Sequence, residues 1–208
     1  MQSNREVPEL GKSKGGQASS SASGGGPSRT TIIIGLVVLA FVVGFGALIW
    51  FDMRSSGNAG PPEGVEEFGE IPAGDHTPEP VDYEQNPPVG GAHNPVWQNN
   101  GFYEAPIQNE TAVHTLEHGG VWITYSPDLP QDEKDAIREI VEGRDCLLAS
   151  PYPDLPDGAQ IVASSWNTQL ALDNVDDPRL DQFIQSYRRG PQTPEPGAAC
   201  TGGTSETT

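Results

Sequence analysis

Four histidines that lie close together in the sequence are the residues best suited to chemistry. They are the only histidines among the 208 residues: His76, His93, His114 and His118. His114 and His118 are four residues apart, and on a helix this spacing places both imidazoles on the same face. Neutral imidazoles in that arrangement bind divalent metal ions, and the preceding loop can deliver His93 or His76 as a third ligand. The cluster therefore predicts a metal site.

The predicted metal ligands are His93, His114 and His118, with His76 and Glu117 as additional candidates. Glu117 can serve as a ligand, as an acceptor that orients an imidazole, or as a proton acceptor. Imidazole ligands without a methionine favour zinc or copper(II) over copper(I). We assign no catalytic residue, although in an enzyme it would be Glu117. The sequence thus indicates a domain that binds or delivers a metal ion more than one that catalyses a reaction.

Two other interpretations of these residues remain open. Histidines at a helix end also donate hydrogen bonds to loop carbonyls, and the domain would then be an interaction module of the cell envelope with structural histidines. The segment HTLEH, residues 114–118, also matches the H-x-x-E-H signature of inverted zinc peptidases, in which Glu117 activates water and a downstream glutamate, here Glu195, is a third ligand. Gly119 and Gly120 end the helix at once, and Glu195 lies between prolines, so this match is weak. A metal-dependent hydrolase that uses Glu117 is the third hypothesis.

Hydrophobic periodicity predicts one small α+β domain that positions these residues. The segments typical of strands are VWITY (121–125), CLLAS (146–150) and IVASSW (161–166). Residues 131–142 place their apolar side chains on one helical face, and a second helix begins at Pro178 with Asp177 as its N-cap. A short helix with Asn109 as its cap, ended by Gly119, carries the paired histidines.

An apolar run near the N-terminus predicts a single membrane anchor. Residues 30–51 are 22 uncharged residues. A helix of that length, at about 1.5 Å per residue, crosses a hydrocarbon layer about 30 Å thick. The residues before the run have a net charge of +2 and those after it −20. Because Lys and Arg are enriched on the cytoplasmic side of membrane proteins, we expect a cytoplasmic N-terminus and an extracytoplasmic domain at the cell membrane.

Composition divides the remaining sequence and limits its partners. Residues 1–29 are rich in Gly and Ser and predict a disordered tail, 52–74 a linker, 75–190 the folded domain and 191–208 a flexible tail. The net charge of −18 repels phosphate groups, so we expect no nucleic-acid partner. The expected partners are the membrane, through the single span, and another envelope protein.

The chain has two cysteines, Cys146 and Cys200. In an exported domain they either form a disulfide that ties the C-terminal segment to the core, or Cys146 is buried and Cys200 is a free thiol. Neither is part of a C-x-x-C motif, so thioredoxin-like redox chemistry is not predicted.

Several segments together resemble a bacterial membrane-anchored family catalogued as domain of unknown function 3105. They are PPVGGAHNPVW (87–97), GFYEAP (101–106), VHTLEHGGVWITYSPDLP (113–130), LASPYPDLP (148–156) and FIQSYRRGPQTPEPGAAC (183–200). The resemblance covers about residues 75–200 and implies that His93, His114, Glu117 and His118 belong to one family pattern, with His76 fitting more loosely. It implies no established activity.

The resemblance also implies one departure in this chain. Relatives have a cysteine where this chain has Asn100, and that cysteine would be a natural partner for the tail cysteine. Here either Cys146 replaces it or Cys200 is unpaired.

Overall fold

The computed structural model describes residues 28, 30, 32–35, 38–40, 42–46 and 60–208. The chain divides into two compact units, Met1–Phe51 and Asp52–Thr208, and the second contains all four histidines. The described residues between 30 and 46 are helical. The other residues of the predicted transmembrane segment, most of the predicted N-terminal tail and residues 52–59 lie outside the described residues. Within the described part, no helix is long and apolar enough to cross a membrane.

Residues 60–208 form an α+β fold around a six-stranded mixed sheet. Its strands are β1 (Glu66–Glu67), β2 (Gly101–Phe102), β3 (Val121–Tyr125), β4 (Leu147–Pro151), β5 (Ile161–Ser165) and β6 (Thr168–Leu172). They lie in the order β1-β6-β5-β3-β4-β2. The pairs β2–β4 and β3–β4 are parallel, and the pairs β3–β5, β5–β6 and β1–β6 are antiparallel. The α+β class predicted from the sequence is confirmed.

Three helices pack on this sheet: α1 (Asn109–Glu117), α2 (Gln131–Val141) and α3 (Pro178–Tyr187). The cap of α3 is as predicted, because the Asp177 carboxylate accepts a hydrogen bond from the Arg179 backbone N–H at 2.9 Å. The predicted cap of α1 is wrong. Asn109 is its first residue, and Gln108 at the N-cap position makes no side-chain cap hydrogen bond.

The two faces of the sheet carry separate hydrophobic clusters because successive strand residues point in opposite directions. On β3, Val121 and Ile123 belong to the cluster that includes residues of α2 and α3, while Trp122 belongs to the cluster that includes Leu116 of α1. The main core therefore lies under α2 and α3. The histidine-bearing helix lies on the opposite face.

The C-terminal segment lies against the domain, which differs from the flexible tail predicted for residues 191–208. Cys200 is buried in a disulfide with Cys146. Thr204 forms a bridge with Gln98, and the Thr208 backbone N–H donates to the Pro106 carbonyl at 2.8 Å. The Pro- and Gly-rich composition suggested flexibility because it shows neither the covalent tie nor the backbone hydrogen bonds to a distant loop.

The N-terminal boundary of the domain also differs from the prediction. Residues Glu66–Glu67 fall in the predicted linker, yet they form β1 and pair with β6. Strands this short have no periodicity of their own, so only the pairing partner identifies them.

Candidate metal centre

Helix α1 presents its polar side to a long loop that covers it. Its residues Val113 and Leu116 belong to the hydrophobic cluster on the sheet. The loop is held along the helix by backbone and side-chain hydrogen bonds: Gln98 N–H donates to the Thr111 carbonyl at 2.9 Å, and the Thr115 hydroxyl donates to the Gln98 carbonyl at 2.7 Å. The side of α1 that points away from the sheet is therefore covered by loop residues and is not in contact with solvent.

A short parallel bridge within this loop brings His76 and His93 together. Thr77 N–H donates to the His93 carbonyl at 2.7 Å, and His93 N–H donates to the Asp75 carbonyl at 2.9 Å. Their ring centroids are 4.8 Å apart, and each is also 4.8 Å from the ring centroid of His114 on α1. Backbone pairing between two loop segments thus places three imidazoles in one cluster.

Four residues converge closely enough to hold one metal ion. One ligand atom from each of His76, His93, His114 and Glu117 lies within 4.8 Å of the others. The Glu117 Oε2 atom is 3.0 Å from His93 Nε2 and 3.7 Å from His76 Nε2. The side chains of His93 and Glu117 are fully buried, whereas that of His76 is 40% exposed. The cluster therefore opens to solvent on the His76 side.

Backbone carbonyls fix the orientation of the buried rings. His93 Nδ1 lies 2.7 Å from the Gly91 carbonyl oxygen, and His114 Nδ1 lies 2.6 Å from the Asn94 carbonyl oxygen. Since a carbonyl oxygen can only accept, each Nδ1 carries the proton and donates it. In the neutral ring Nε2 then has a free lone pair. Histidines that ligate metals are oriented by this kind of hydrogen bond through the other ring nitrogen.

The contact between His93 and Glu117 is the most informative in the cluster. Glu117 Oε1 accepts a hydrogen bond from the Gly74 backbone N–H at 2.6 Å, and Oε2 faces His93 Nε2 at 3.0 Å. With the His93 proton on Nδ1, two atoms that both bear lone pairs face each other between two fully buried side chains. Such a pair needs a proton or a metal ion to join it, because a buried acceptor without a partner is costly.

His114 is held neutral at physiological pH. Burial lowers the pKa of its imidazole to about 4; the hydrogen bond to Asn94 opposes this shift, and the neighbouring histidines add to it. A neutral imidazole needs no deprotonation before it binds a metal ion. His114 can therefore offer a neutral imidazole nitrogen at neutral pH.

Comparison with known protein families decides where this chain belongs. Residues 76–202 match the family described as Protein of unknown function (DUF3105). The chain belongs to this family. No curated protein and no solved structure matches the chain. The matched part of the DUF3105 domain contains all four histidines and both cysteines.

The DUF3105 domain places His118, a predicted ligand, outside the group of four. His118 is the C-cap residue of α1, and its Nδ1 donates to the Ala199 carbonyl at 2.6 Å. Its Nε2 lies 3.6 Å from Glu195 Oε2, so the chain does bring that downstream glutamate to the motif. Neither of these two residues joins Glu117 in the group. The geometry thus favours His76, an additional candidate in the prediction, over His118.

The glycines after α1 explain why the helix stops here. Gly119 has φ 89°, and a Cβ at that position would lie 2.8 Å from the Thr193 hydroxyl oxygen. The backbone N–H groups of Gly119 and Gly120 donate to the carbonyls of Leu116 and Thr115, which closes the helix in a Schellman arrangement. The tail packs against this turn, so α1 cannot be extended.

The cysteines of the DUF3105 domain are paired with each other. Cys146 and Cys200 form a disulfide, which resolves the alternatives left open by the sequence. Asn100, where a cysteine is implied in relatives, lies beside it, because its backbone N–H donates to the Cys200 carbonyl at 2.9 Å. Within residues 60–208, Asp145, Cys146 and Cys200 are a second close group of potential ligands, but disulfide sulfurs offer no thiolate to a metal.

Some residues that build the site carry no signal in the sequence. Gly74, Gly91 and Asn94 contact the site residues through backbone N–H or carbonyl groups, so their residue types reveal nothing about these roles. His76 and Glu117 were recognisable because histidine and glutamate are themselves ligand types.

Proposed function

We propose that this domain binds one divalent metal ion, zinc in preference, through His76, His93, His114 and Glu117. The observation that carries the proposal is the distance of 3.0 Å between His93 Nε2 and Glu117 Oε2, both on buried side chains. The proton of the His93 ring is on Nδ1, where it is donated to the Gly91 carbonyl. A cation between them satisfies both lone pairs at once. Binding or delivery of the metal, and no chemical reaction, is the function that follows.

The distances suit a tetrahedral ion. Two ligand atoms about 2.0–2.1 Å from a tetrahedral zinc ion are about 3.3–3.4 Å apart. The two contacts of Glu117 Oε2, at 3.0 Å and 3.7 Å, lie on either side of that value, and the remaining pairs are within 4.8 Å. Small movements of the side chains are enough to close the four ligands around one ion.

The ligand types support zinc and also admit copper(II). Three imidazole nitrogens and one carboxylate oxygen suit zinc, whereas magnesium and calcium prefer sites made of oxygen. Copper(I) prefers sulfur ligands, and neither methionine of the chain, Met1 or Met53, falls within residues 60–208. Zinc accepts the tetrahedral arrangement without distortion, which is why we place it before copper(II).

The same geometry supports binding over hydrolysis. A catalytic zinc ion keeps one coordination position open for water, whereas four protein ligands complete a tetrahedral shell. Both carboxylate oxygens of Glu117 already have partners, since Oε1 accepts from the Gly74 N–H and Oε2 faces the imidazoles of His76 and His93. A general base for a metal-bound water needs a free carboxylate oxygen directed at that water.

Titration of the purified chain with zinc and with copper(II) tests the proposal. We expect one equivalent of zinc to bind, and a His93→Ala, His114→Ala double variant to lose it. His118→Ala is the matched control, since His118 is a buried histidine of the same segment whose Nδ1 also donates to a backbone carbonyl, but it lies outside the group. Wild-type chain that takes up no zinc, or a double variant that binds like His118→Ala, would leave the histidines with a structural role.

We also propose that the domain is anchored in the cell membrane and faces outward. Support comes from the 22 uncharged residues at 30–51 and from the excess of basic residues before them. The Cys146–Cys200 disulfide adds to this, because disulfides persist in oxidising compartments outside the cytoplasm. Protease added to intact cells should digest residues 60–208. Digestion only after lysis would contradict the orientation.

A further inference from the structure

The four histidines of the domain differ in how firmly their imidazole rings are held. His93, His114 and His118 are buried, and each donates Nδ1–H to a backbone carbonyl at 2.6–2.7 Å. In the described part of the chain, the ring of His76 has no such bond. It contacts neighbouring rings and lies 3.7 Å from Glu117 Oε2. Only packing and that one polar contact keep its ring in place.

The side chain of His76 is also accessible to solvent. Its side chain is 40% exposed, whereas those of His93 and Glu117 are fully buried. His76 lies two residues after Gly74, in a stretch of mostly exposed residues. Gly74 has φ 74°, and a Cβ at that position would meet no other atom. Rotation of the His76 side chain into solvent therefore disturbs no core packing, while the same rotation is blocked for the other ligands.

We infer that His76 is the ligand that dissociates, and that a histidine side chain of a partner protein takes its place during metal transfer. This inference rests on the proposed function. In the exchange, the bond from the metal to the His76 nitrogen breaks as a bond to the incoming imidazole nitrogen forms. Both ligands are neutral, so no proton or electron is transferred. The buried ligands His93, His114 and Glu117 keep the ion in place until the exchange is complete.

Charge around the opening selects the kind of incoming ligand. His76 is flanked by Asp75 and Glu79, which are exposed, and residues 74–84 contain no Lys or Arg. This negative segment repels a carboxylate from a partner and attracts cations. A neutral imidazole does not meet that repulsion. With a net charge of −18 on the chain, the partner face that carries the histidine is expected to be basic.

Chemical rescue in a His76→Ala variant tests the inference. We expect this variant to bind one zinc ion but to release it to a chromogenic chelator about tenfold or more faster than wild type, because a weakened interaction acts mainly on the dissociation rate. Free imidazole at millimolar concentration should fill the vacated position and slow the release again. Acetate at the same concentration should not. The cobalt(II)-loaded variant reports the same event, since its visible absorption spectrum should change with imidazole and not with acetate.

Two comparison variants make the outcome decisive. His93→Gln should lose zinc without rescue by imidazole, and its circular dichroism spectrum establishes whether it is folded. Thr77→Ala alters an exposed hydroxyl in the same loop and should release zinc at the wild-type rate. If wild-type chain binds no zinc, both proposals fall. If it binds zinc and His76→Ala releases it no faster, or acetate rescues as well as imidazole, the exchange inference is wrong while the metal site stands.

Discussion

Helices α1 and α2 lie on opposite faces of one sheet, yet they bury different kinds of side chain. In α2, only Ile137 and Val141 are fully buried, and its polar side chains are in contact with solvent. In α1, every residue from Thr111 to Glu117 is buried, including a histidine and a glutamate. An apolar stripe is sufficient to hold α2 on the sheet. The outer side of α1 needs partners from elsewhere in the chain.

Those partners show what the difference means. The carbonyl of Asn94, the N–H of Gly74 and the carbonyl of Ala199 come from a loop and from the C-terminal segment, and each satisfies one polar group on or after α1. Buried polar groups without partners destabilise a fold, so these hydrogen bonds are needed to keep the outer side of α1 buried. The exception is the contact between Glu117 and His93. When the His93 ring is neutral, neither Glu117 Oε2 nor His93 Nε2 has a proton to donate to the other. The face of α2 is explained by apolar packing alone, and the face of α1 is the one on which we propose metal binding.

The disulfide gives the largest expected effect and tests the support of the α1 side. A Cys146→Ser, Cys200→Ser variant opens a loop closed across 54 residues, for which chain entropy predicts a loss of about 4 kcal/mol in the free energy of unfolding. Because the Glu195 backbone N–H of the same segment donates to the Glu117 carbonyl at 3.1 Å, we also expect weaker zinc binding. Urea denaturation and zinc titration measure the two effects. Unchanged zinc affinity would mean that the C-terminal segment does not support the site.

A core substitution on α2 should affect stability alone. Ile137→Ala removes a fully buried side chain from the main core, which costs about 3 kcal/mol in the free energy of unfolding for a typical site. The zinc stoichiometry should stay at that of wild type, measured by titration under conditions in which the variant is folded. Loss of zinc binding in this variant would remove the distinction between the two faces.

Acid should destabilise the metal-free protein through the α1 side. The folded-state pKa of His114 is lowered to about 4, below the value of about 6.5 in unfolded chains. The unfolded state therefore binds the proton first as pH falls from about 6.5 to 4, and the free energy of unfolding decreases across that window by up to about 3 kcal/mol. Denaturation curves at several pH values measure this. His114→Asn should flatten the profile, and a variant that keeps the wild-type slope would assign the effect to other groups.

The smallest expected effect is that of Glu117→Gln on the free energy of unfolding. Its sign distinguishes a metal site from an ion pair between Glu117 and His93. In metal-free protein, Glu117→Gln keeps an acceptor for the Gly74 N–H and gives His93 Nε2 an amide donor. We therefore expect the free energy of unfolding to rise by about 1 kcal/mol, the usual value of one hydrogen bond, while zinc affinity falls. Thermal unfolding with and without zinc measures both. A variant less stable than wild type without metal would indicate a proton shared between Glu117 and His93.

Much of the fold followed from local patterns, and the part that did not was non-local. The helix at 131–141, the Asp177 cap and the strand VWITY are encoded by periodicity and capping within about a dozen residues. Strand β6 was missed because it follows β5 after a turn in which Asn167 has φ 56°, and no Gly marks that turn. Strands β1 and β2, with two residues each, depend entirely on distant partners.

The site shows the same limit. The i, i+3 spacing of His114 and Glu117 on α1 was visible in the sequence and places them together. Helical spacing favoured His118 equally, but the helix ends at Glu117, and the Ala199 carbonyl holds the His118 ring outside the group. The meeting of His76 with His93 depends on a bridge between two loop segments. No residue pattern within either segment predicts that bridge.

The most direct test of the central claim is the anomalous scattering of zinc in crystals of the chain grown with zinc. The account predicts one strong difference peak about 2.0–2.1 Å from the Nε2 atoms of His93 and His114, with Glu117 and His76 completing the shell. His118 should lie outside that shell, with its Nδ1 still on the Ala199 carbonyl. A peak centred on His118 and Glu195, or no peak near Glu117, would contradict the account.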